Sequence, residues 1–190
     1  MMPAGYGIRE LRRQDAPELA LAYDRNRDHL APWDPTRAPS FYTTEGQLAL
    51  VDHQLAEAQR RQLLPLVLVR GTAIVGRVNL HNIVWGPFCS GVLGYWVDVE
   101  HQGVGLATAG VEEACERAKR WGLHRLEAST LASNVASQAV LARADFESFG
   151  FAPQYLHIAG RWQGCRLFQR ILHDTPPRAP EPRSAHAASR

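Results

Sequence analysis

One stretch constrains this chain more than any other: Leu93-Gly94-Tyr95-Trp96-Val97-Asp98-Val99-Glu100-His101-Gln102-Gly103-Val104-Gly105-Leu106-Ala107-Thr108-Ala109. It opens with strand-favouring residues, carries two glycines one residue apart, and closes on an apolar pattern of helical period. It therefore predicts a buried strand running through a glycine turn into a helix. Such a turn has a chemical consequence. Gly103 and Gly105 let main-chain N–H groups reach a ligand with no side chain in the way, and the helix starting near Leu106 aims its unpaired first-turn donors at the same place. Main chain and helix dipole together suit a phosphate group. Two common phosphate loops are excluded by the wording of the turn, since neither G-x-G-x-x-G nor G-x-x-x-x-G-K-[ST] occurs there.

The rest of the chain reads as alternating strands and helices around that stretch. Ile8 to Leu11 predicts a first strand, and Asp15-x-x-Glu18 with Pro17 predicts a capping box opening one helix that runs to Pro32. The proline-rich segment that follows holds Trp33, which is expected to plug the core rather than cover a pocket. Thr44-x-x-Gln47 predicts a second capped helix. Leu66–Val69 and Ala73–Val84 predict a hairpin about Arg70-Gly71-Thr72, followed by a strand from Val92 to Val99. Gly122 is expected to stop the helix after the loop. A parallel crossover then leads to a strand at His124–Leu131, a short helix at Ala136–Ala144, and a final pair of strands at Tyr155–Ile158 and Arg166–Leu172.

Composition sets limits on function. A length of 190 residues suits one domain with a sizeable core, and the net charge of +2 is too small to suggest nucleic-acid binding. Cys89, Cys115 and Cys165 are far apart and share no metal-ligand spacing, so they read as reduced thiols of a cytoplasmic protein, and no metal is expected. No apolar run approaches the length of a membrane span, and the N-terminus lacks a secretory pattern. From residue 174 onward, Pro176, Pro177, Pro180 and Pro182 sit among Arg, Ala and Ser, which reads as a disordered tail at 174–190.

The loop has the form Gln102-x-x-Gly105-x-Ala107. Beyond it come Asn134-Val135-Ala136-Ser137, Phe149-Gly150-Phe151-Ala152, and Tyr155 to Gln163, in that order. This combination resembles the GNAT superfamily of acyl-CoA-dependent N-acyltransferases, whose pyrophosphate loop reads [RQ]-x-x-G-x-[GA]. Within it the chain is most similar to the group of ribosomal-protein N-terminal alanine acetyltransferases, over roughly residues 7 to 172. The resemblance implies an α/β (α+β) fold at residues 1–173: a mixed, mostly antiparallel sheet of six or seven strands, splayed at its centre and flanked by about four helices. It implies acetyl-CoA as co-substrate, with the diphosphate held by Gln102, Gly103, Val104, Gly105, Leu106, Ala107 and Thr108. The pantetheine arm would lie along the main chain of Val97 and Val99, and the Val97 N–H would polarise the thioester carbonyl. Asn134 would contact the arm, or cap the short helix, and Ser137 would serve as general acid.

The resemblance departs at two points. Where many relatives carry a glutamate just before the L-G-Y-W segment, Val92 and Leu93 stand here, so no base is assigned; Glu127, His157, Tyr155 or a water chain are the alternatives. Asp145-Phe146 replaces Gly-Phe after the helix, a position that aspartate tolerates in left-handed form. Arg143 and Lys119 are candidates for the 3′-phosphate, or else solvated charges. The implied acceptor is the N-terminal amine of a protein, with ribosomal proteins the leading class. Acetylation of a small-molecule amine, or a catalytically silent acyl-CoA-binding protein, remain open. The oligomeric state is expected to be monomer or homodimer.

Overall fold

The computed structural model describes residues 1–176. The expected tail therefore lies, beyond its first three residues, outside the described residues. Seven strands form one sheet in the order β1-β2-β3-β4-β5-β7-β6. They are β1 (Tyr6–Glu10), β2 (Leu64–Arg70), β3 (Ala73–Val84), β4 (Ser90–Val97), β5 (Arg125–Leu131), β6 (Glu147–Ile158) and β7 (Arg161–Ile171). Every neighbouring pair is antiparallel except β4 and β5, which are parallel. Five α-helices accompany the sheet among the described residues: α1 (Ala16–Arg25), α2 (Arg27–Leu30), α3 (Thr44–Gln59), α4 (Leu106–Trp121) and α5 (Val135–Arg143). Among the described residues, no helix is long and apolar enough to cross a membrane.

The period-two pattern of the central strands explains the layering. In β2, Leu66 and Leu68 pack into a cluster with Val78, Leu106, Val111, Cys115 and Leu141, under α4 and α5. Val67 and Ile74 pack into a second cluster with Leu19, Ala22 and Val51, under α1 and α3. Strands buried on both faces read as nearly continuous apolar runs, which is what Leu64–Val69 shows. Gly110 lets α4 lie close to the sheet, since a Cβ there would stand 3.0 Å from Val78 Cγ2 and 3.1 Å from Leu68 Cδ2. All three cysteines are buried and unpaired, and burial pushes the Cys115 thiol up to about 11, in keeping with a packing role.

Four local expectations are corrected. The single helix expected up to Pro32 is broken at Asn26, between α1 and α2. Asn26 is 0 % exposed, and its side chain competes for backbone partners. Its amide donates to the Ala22 carbonyl and to Asp98 Oδ2, at 2.9 and 2.8 Å, while its oxygen accepts the Val99 N–H at 2.9 Å. Asp15 and Glu18 form no capping box. The Asp15 carboxylate instead takes the Arg9 guanidinium at 2.7 and 2.8 Å and the Arg12 N–H at 2.8 Å, and Glu18 Oε1 accepts the Ile74 N–H at 3.3 Å. Thr43, not Thr44, caps α3, accepting the Gly46 N–H at 3.1 Å, and Gln47 turns away to the Phe41 carbonyl. Finally, β6 begins at Glu147, well before Tyr155, and takes in Phe149-Gly150-Phe151; its register shifts twice, so its alternation is irregular.

Candidate active site

The site begins where two parallel strands stop pairing. β4 and β5 are matched only at Ser90↔Arg125, Gly91↔Leu126 and Val92↔Glu127. Beyond Val92, β4 runs on to Val97 along β3 alone. The Asp98 N–H donates to the Val75 carbonyl at 2.9 Å, so Asp98, and by alternation Trp96 and Gly94, spend their main-chain groups on β3. Tyr95 and Val97 alternate with them and turn their N–H and C=O groups toward the side that β5 has left. A cleft of about 950 Å³ occupies that gap, walled by Tyr95, Trp96 and Val97 of β4, by Gln102, Gly103 and Gly105 to Thr108, by the α5 residues Ala136, Ser137 and Val140, and by His29, Leu30 and Trp33. Trp33, at 37 % exposure, lines this cleft and does not plug the core.

Local sequence chemistry builds the loop at one end of the cleft. Gly103 and Gly105 both take positive φ, 76° and 81°, and a Cβ on either would meet nothing within 4 Å, so the surface above them is open. Gly105 immediately precedes α4, and the first helical bond runs from the Ala109 N–H to the Gly105 carbonyl. The N–H groups of Gly103 through Thr108 have no protein acceptor among the described residues. The segment leading into the loop is fixed at two points. Gln102 Nε2 meets His29 Nε2 at 2.8 Å, and the Asp98 carboxylate takes the Arg25 guanidinium at 2.6 Å, the Asn26 amide, and the Glu100 N–H at 3.0 Å. Burial would raise the Asp98 carboxyl, but Arg25, Asn26 and the Glu100 amide outweigh it and hold the group below its ordinary value. An array of six free N–H groups at a helix start can hold a diphosphate without a cation.

The opposite wall carries hydroxyls. Asn134 caps α5, its Oδ1 accepting the Ser137 N–H at 3.0 Å. Ser137 Oγ lies 2.8 Å from the Tyr95 hydroxyl, which also donates to the Ser137 carbonyl at 3.1 Å. Burial pushes the Tyr95 phenol up to about 12, against the pull of Ser137. It is therefore protonated near neutral pH and has a proton to give. Tyr95 is a functional candidate that the sequence did not single out. The signal was its alternation with Val97 and Leu93, which turns it to the α5 side of the sheet.

Of the residues expected at the site, Val97, Gln102, Gly103, Gly105, Leu106, Ala107, Thr108, Asn134 and Ser137 line the cleft, and so does Arg143. Val99 and Val104 do not. The Val99 N–H is committed to Asn26, and the Val104 side chain faces solvent, although its N–H belongs to the free array. None of the three named base candidates lines the cleft: Glu127 is ion-paired with Arg125, and Tyr155 and His157 stand on the exposed edge strand β6. Lys119 lies exposed in the last turn of α4, away from the loop. Asp145 does take positive φ, 56°, as its turn requires. Among the described residues, no group of three His, Cys, Asp or Glu side chains is placed to hold a metal ion.

Comparison with known proteins gives a consistent result. The acetyltransferase (GNAT) domain profile matches residues 7–147. The chain is 31% identical over 173 residues, 90% of its length, to the [ribosomal protein uS5]-alanine N-acetyltransferase of Escherichia coli (strain K12), covering 89% of that protein. Its structure superposes with a TM-score of 0.89 on ribosomal-protein-S5-alanine acetyltransferase from Vibrio fischeri, at 33% identity, covering 93% of this chain and 98% of that one. The TM-score is 0.84 with Mycobacterium smegmatis RimJ in complex with CoA-disulfide, at 29% identity, covering 89% of this chain and 83% of that one.

Proposed function

Given that this chain belongs to the acetyltransferase (GNAT) family, we propose that it transfers the acetyl group of acetyl-CoA to the N-terminal α-amine of a protein, with ribosomal proteins as the acceptor class. The observation that carries this reading is the opening of the sheet after Val92 and Glu127, which puts the Val97 N–H, the free amides of residues 103 to 108 and the Tyr95–Ser137 hydroxyl pair on one cleft. Relatives named for alanine N-acetylation support the choice of acceptor.

Acetyl-CoA supplies an activated acyl group on a thiol leaving group. In this reading the N–H groups of Gly103 to Thr108 hold its diphosphate, and Gln102, tied to His29, fixes the loop that presents them. The pantetheine arm takes the place that a β5 strand would otherwise fill, and the main-chain groups of Tyr95 and Val97 bind it as a strand is bound. The Val97 N–H lies where charge develops on the thioester oxygen. Asn134 holds the first turn of α5, so that Ser137 faces Tyr95, and this pair delivers a proton to the departing sulfur. Arg143 lines the same cleft, and in this reading it meets a terminal phosphate. An α-amine, with a pKa of about 7.7–8.0 against about 10.4 for lysine, is partly neutral near pH 7 and needs less help to lose its proton.

The test is thiol release from acetyl-CoA with a panel of peptides and small amines. Release with peptides that start with alanine or serine is the expected result. Release with polyamines or aminoglycosides alone would move the acceptor to small molecules, and binding of acetyl-CoA without turnover would remove the enzymatic reading.

A further inference from the structure

A second hollow lies beside the cleft, and the acetyl-transfer reading leaves it without a task. It encloses about 200 Å³ between α1, α2 and the segment that leads to α3. Leu30 lines both spaces, and Trp33 of the cleft is followed directly in the chain by Asp34 of the hollow. A second connection runs through β4. Trp96, which walls the cleft and precedes Val97, donates from its indole N–H to the Tyr23 hydroxyl at 3.2 Å, and the two rings lie 5.0 Å apart. Tyr23 lines the hollow. Trp96 and Tyr23 therefore bridge the distance from Val97 to the hollow, a span that an extended acceptor, at about 3.3–3.6 Å per residue, covers within its first few residues.

The walls of the hollow are rich in donors and poor in acceptors. The Arg27 guanidinium lies 3.7 Å from the centre of the Tyr42 ring, and that of Arg37 lies 4.8 Å from the centre of the Phe41 ring. Stacking of this kind orients a guanidinium and leaves its N–H edges open. Asp34 is the one carboxylate on the lining, and both of its oxygens are taken by Arg37, at 2.9 and 3.2 Å. Arg27 donates only to Asp24, at 2.7 Å, in a pair whose two side chains are well exposed, so that it binds weakly and yields to a better partner. The remaining N–H groups of Arg27, Nη1 of Arg37 and the hydroxyl protons of Tyr23 and Tyr42 have no acceptor among the described residues.

We propose that this hollow holds a carboxylate carried by the acceptor close behind its reacting amine, with Arg27, Arg37 and Tyr42 as the residues that select it. The proposal rests on the acetyl-transfer reading and adds a choice among acceptors: in a protein, the carboxylate is an aspartate or glutamate side chain near the N-terminus. A carboxylate brings two charged oxygens to walls that offer only donors, and it matches the fork of a guanidinium. Glutamine, of the same shape, brings one neutral oxygen and two N–H groups that would face other donors. Lysine would bring a third cation beside Arg27 and Arg37.

The experiment follows thiol release from acetyl-CoA with alanine-starting peptides, amidated at the C-terminus, that carry Glu, Gln or Lys at the second, third or fourth position. At one of these positions Glu should exceed Gln in kcat/KM by ~10-fold or more, chiefly through KM, and Lys should fall below Gln. Arg27→Gln and Arg37→Gln should each bring the Glu-to-Gln ratio toward one, and Arg27→Glu should turn the preference toward Lys. The ratio compares two peptides on one protein, so a general loss of fold does not move it, and calorimetry with acetyl-CoA shows that each variant is folded. Equal rates with Glu and Gln at all three positions, a ratio unchanged in both Gln variants, or a preference for Glu that survives Arg27→Glu would overturn the assignment. Free amino acids form the last arm. If they are acetylated, their amides and all the peptides are not, and the same arginines govern the difference, the carboxylate site stands while the protein N-terminus fails as the acceptor. If the chain binds acetyl-CoA but releases thiol with none of these amines, both readings fall.

Discussion

The Tyr95 and Ser137 hydroxyls stand 2.8 Å apart, and in the proposed reaction they act as one proton donor. Tyr95→Phe keeps the ring in the core and removes only the oxygen, so turnover should fall by ~10²-fold while acetyl-CoA affinity stays near that of the parent. Ser137→Ala should do the same, and the double variant should lose little more than either single one, because groups acting as a unit are not additive. Steady-state kinetics with calorimetric binding checks all three. Only half of this pair was legible in the sequence. Ser137 stands in a recognisable pattern after Asn134, whereas Tyr95 gains its role from the way β4 turns one face toward α5. Asp98 and Asp15 lead to a second expectation. Burial alone would raise both, but Arg25 with Asn26 and Arg9 with the Arg12 N–H hold their folded values below the ordinary ones. The unfolded chain therefore takes up these protons at higher pH than the folded chain. The stabilisation is complete above about pH 4 and disappears as pH falls through the depressed folded values. Thermal melts over the acid range should show Tm dropping most steeply below about pH 4, and Asp98→Asn should make that drop shallower.

At the level of elements, the strand–turn–helix unit was the most legible part of the chain. Two glycines and an apolar helical period place α4 at Leu106, and Gly122 ends it at φ 89°. Gly105→Ala tests the loop without crowding it, since a Cβ would meet nothing within 4 Å while φ is 81°. Left-handed backbone costs an L-residue ~1–2 kcal/mol, so acetyl-CoA affinity should fall by about tenfold in calorimetry, with little change in the rest of the fold. The helix break was not legible, because nothing in Arg25-Asn26-Arg27 by itself says that Asn26 will be buried against Asp98, which lies far along the chain. Asn26→Ala would leave the Val99 N–H without its partner and Asp98 Oδ2 with Arg25 alone, at a cost of ~1–3 kcal/mol. Urea unfolding should register that loss. The start of β6 was missed for a different reason. Its register shifts at Ser148/Gly150 and at Ala152/Leu156 erase the period of two, and Pro153 argues against a strand that proves to lie at the edge of the sheet.

At the scale of the fold, the sequence predicted a mixed sheet with about four helices, and the described residues form seven strands and five α-helices, the extra one coming from the break at Asn26. The placing of β7 between β5 and β6 follows from long-range pairing that local periodicity does not express. Because the cleft runs between elements from both halves of the chain, a bound ligand should stabilise the fold as a unit. At a hundredfold excess over its Kd, acetyl-CoA should add ~2.7 kcal/mol, or about 5–10 °C in Tm for a domain of this length, and a thermal shift assay reads this directly. The parted strands carry one more consequence. A sheet that is open along part of its middle has an inner rim, where the Tyr95 and Val97 amides meet water although strands lie to either side. In deuterated solvent these two positions should exchange much faster than their neighbours Gly94 and Trp96, whose hydrogens are held by β3. Acetyl-CoA should slow them selectively, leaving an isotopic footprint of the cofactor arm on β4 that can be followed before any acceptor is known.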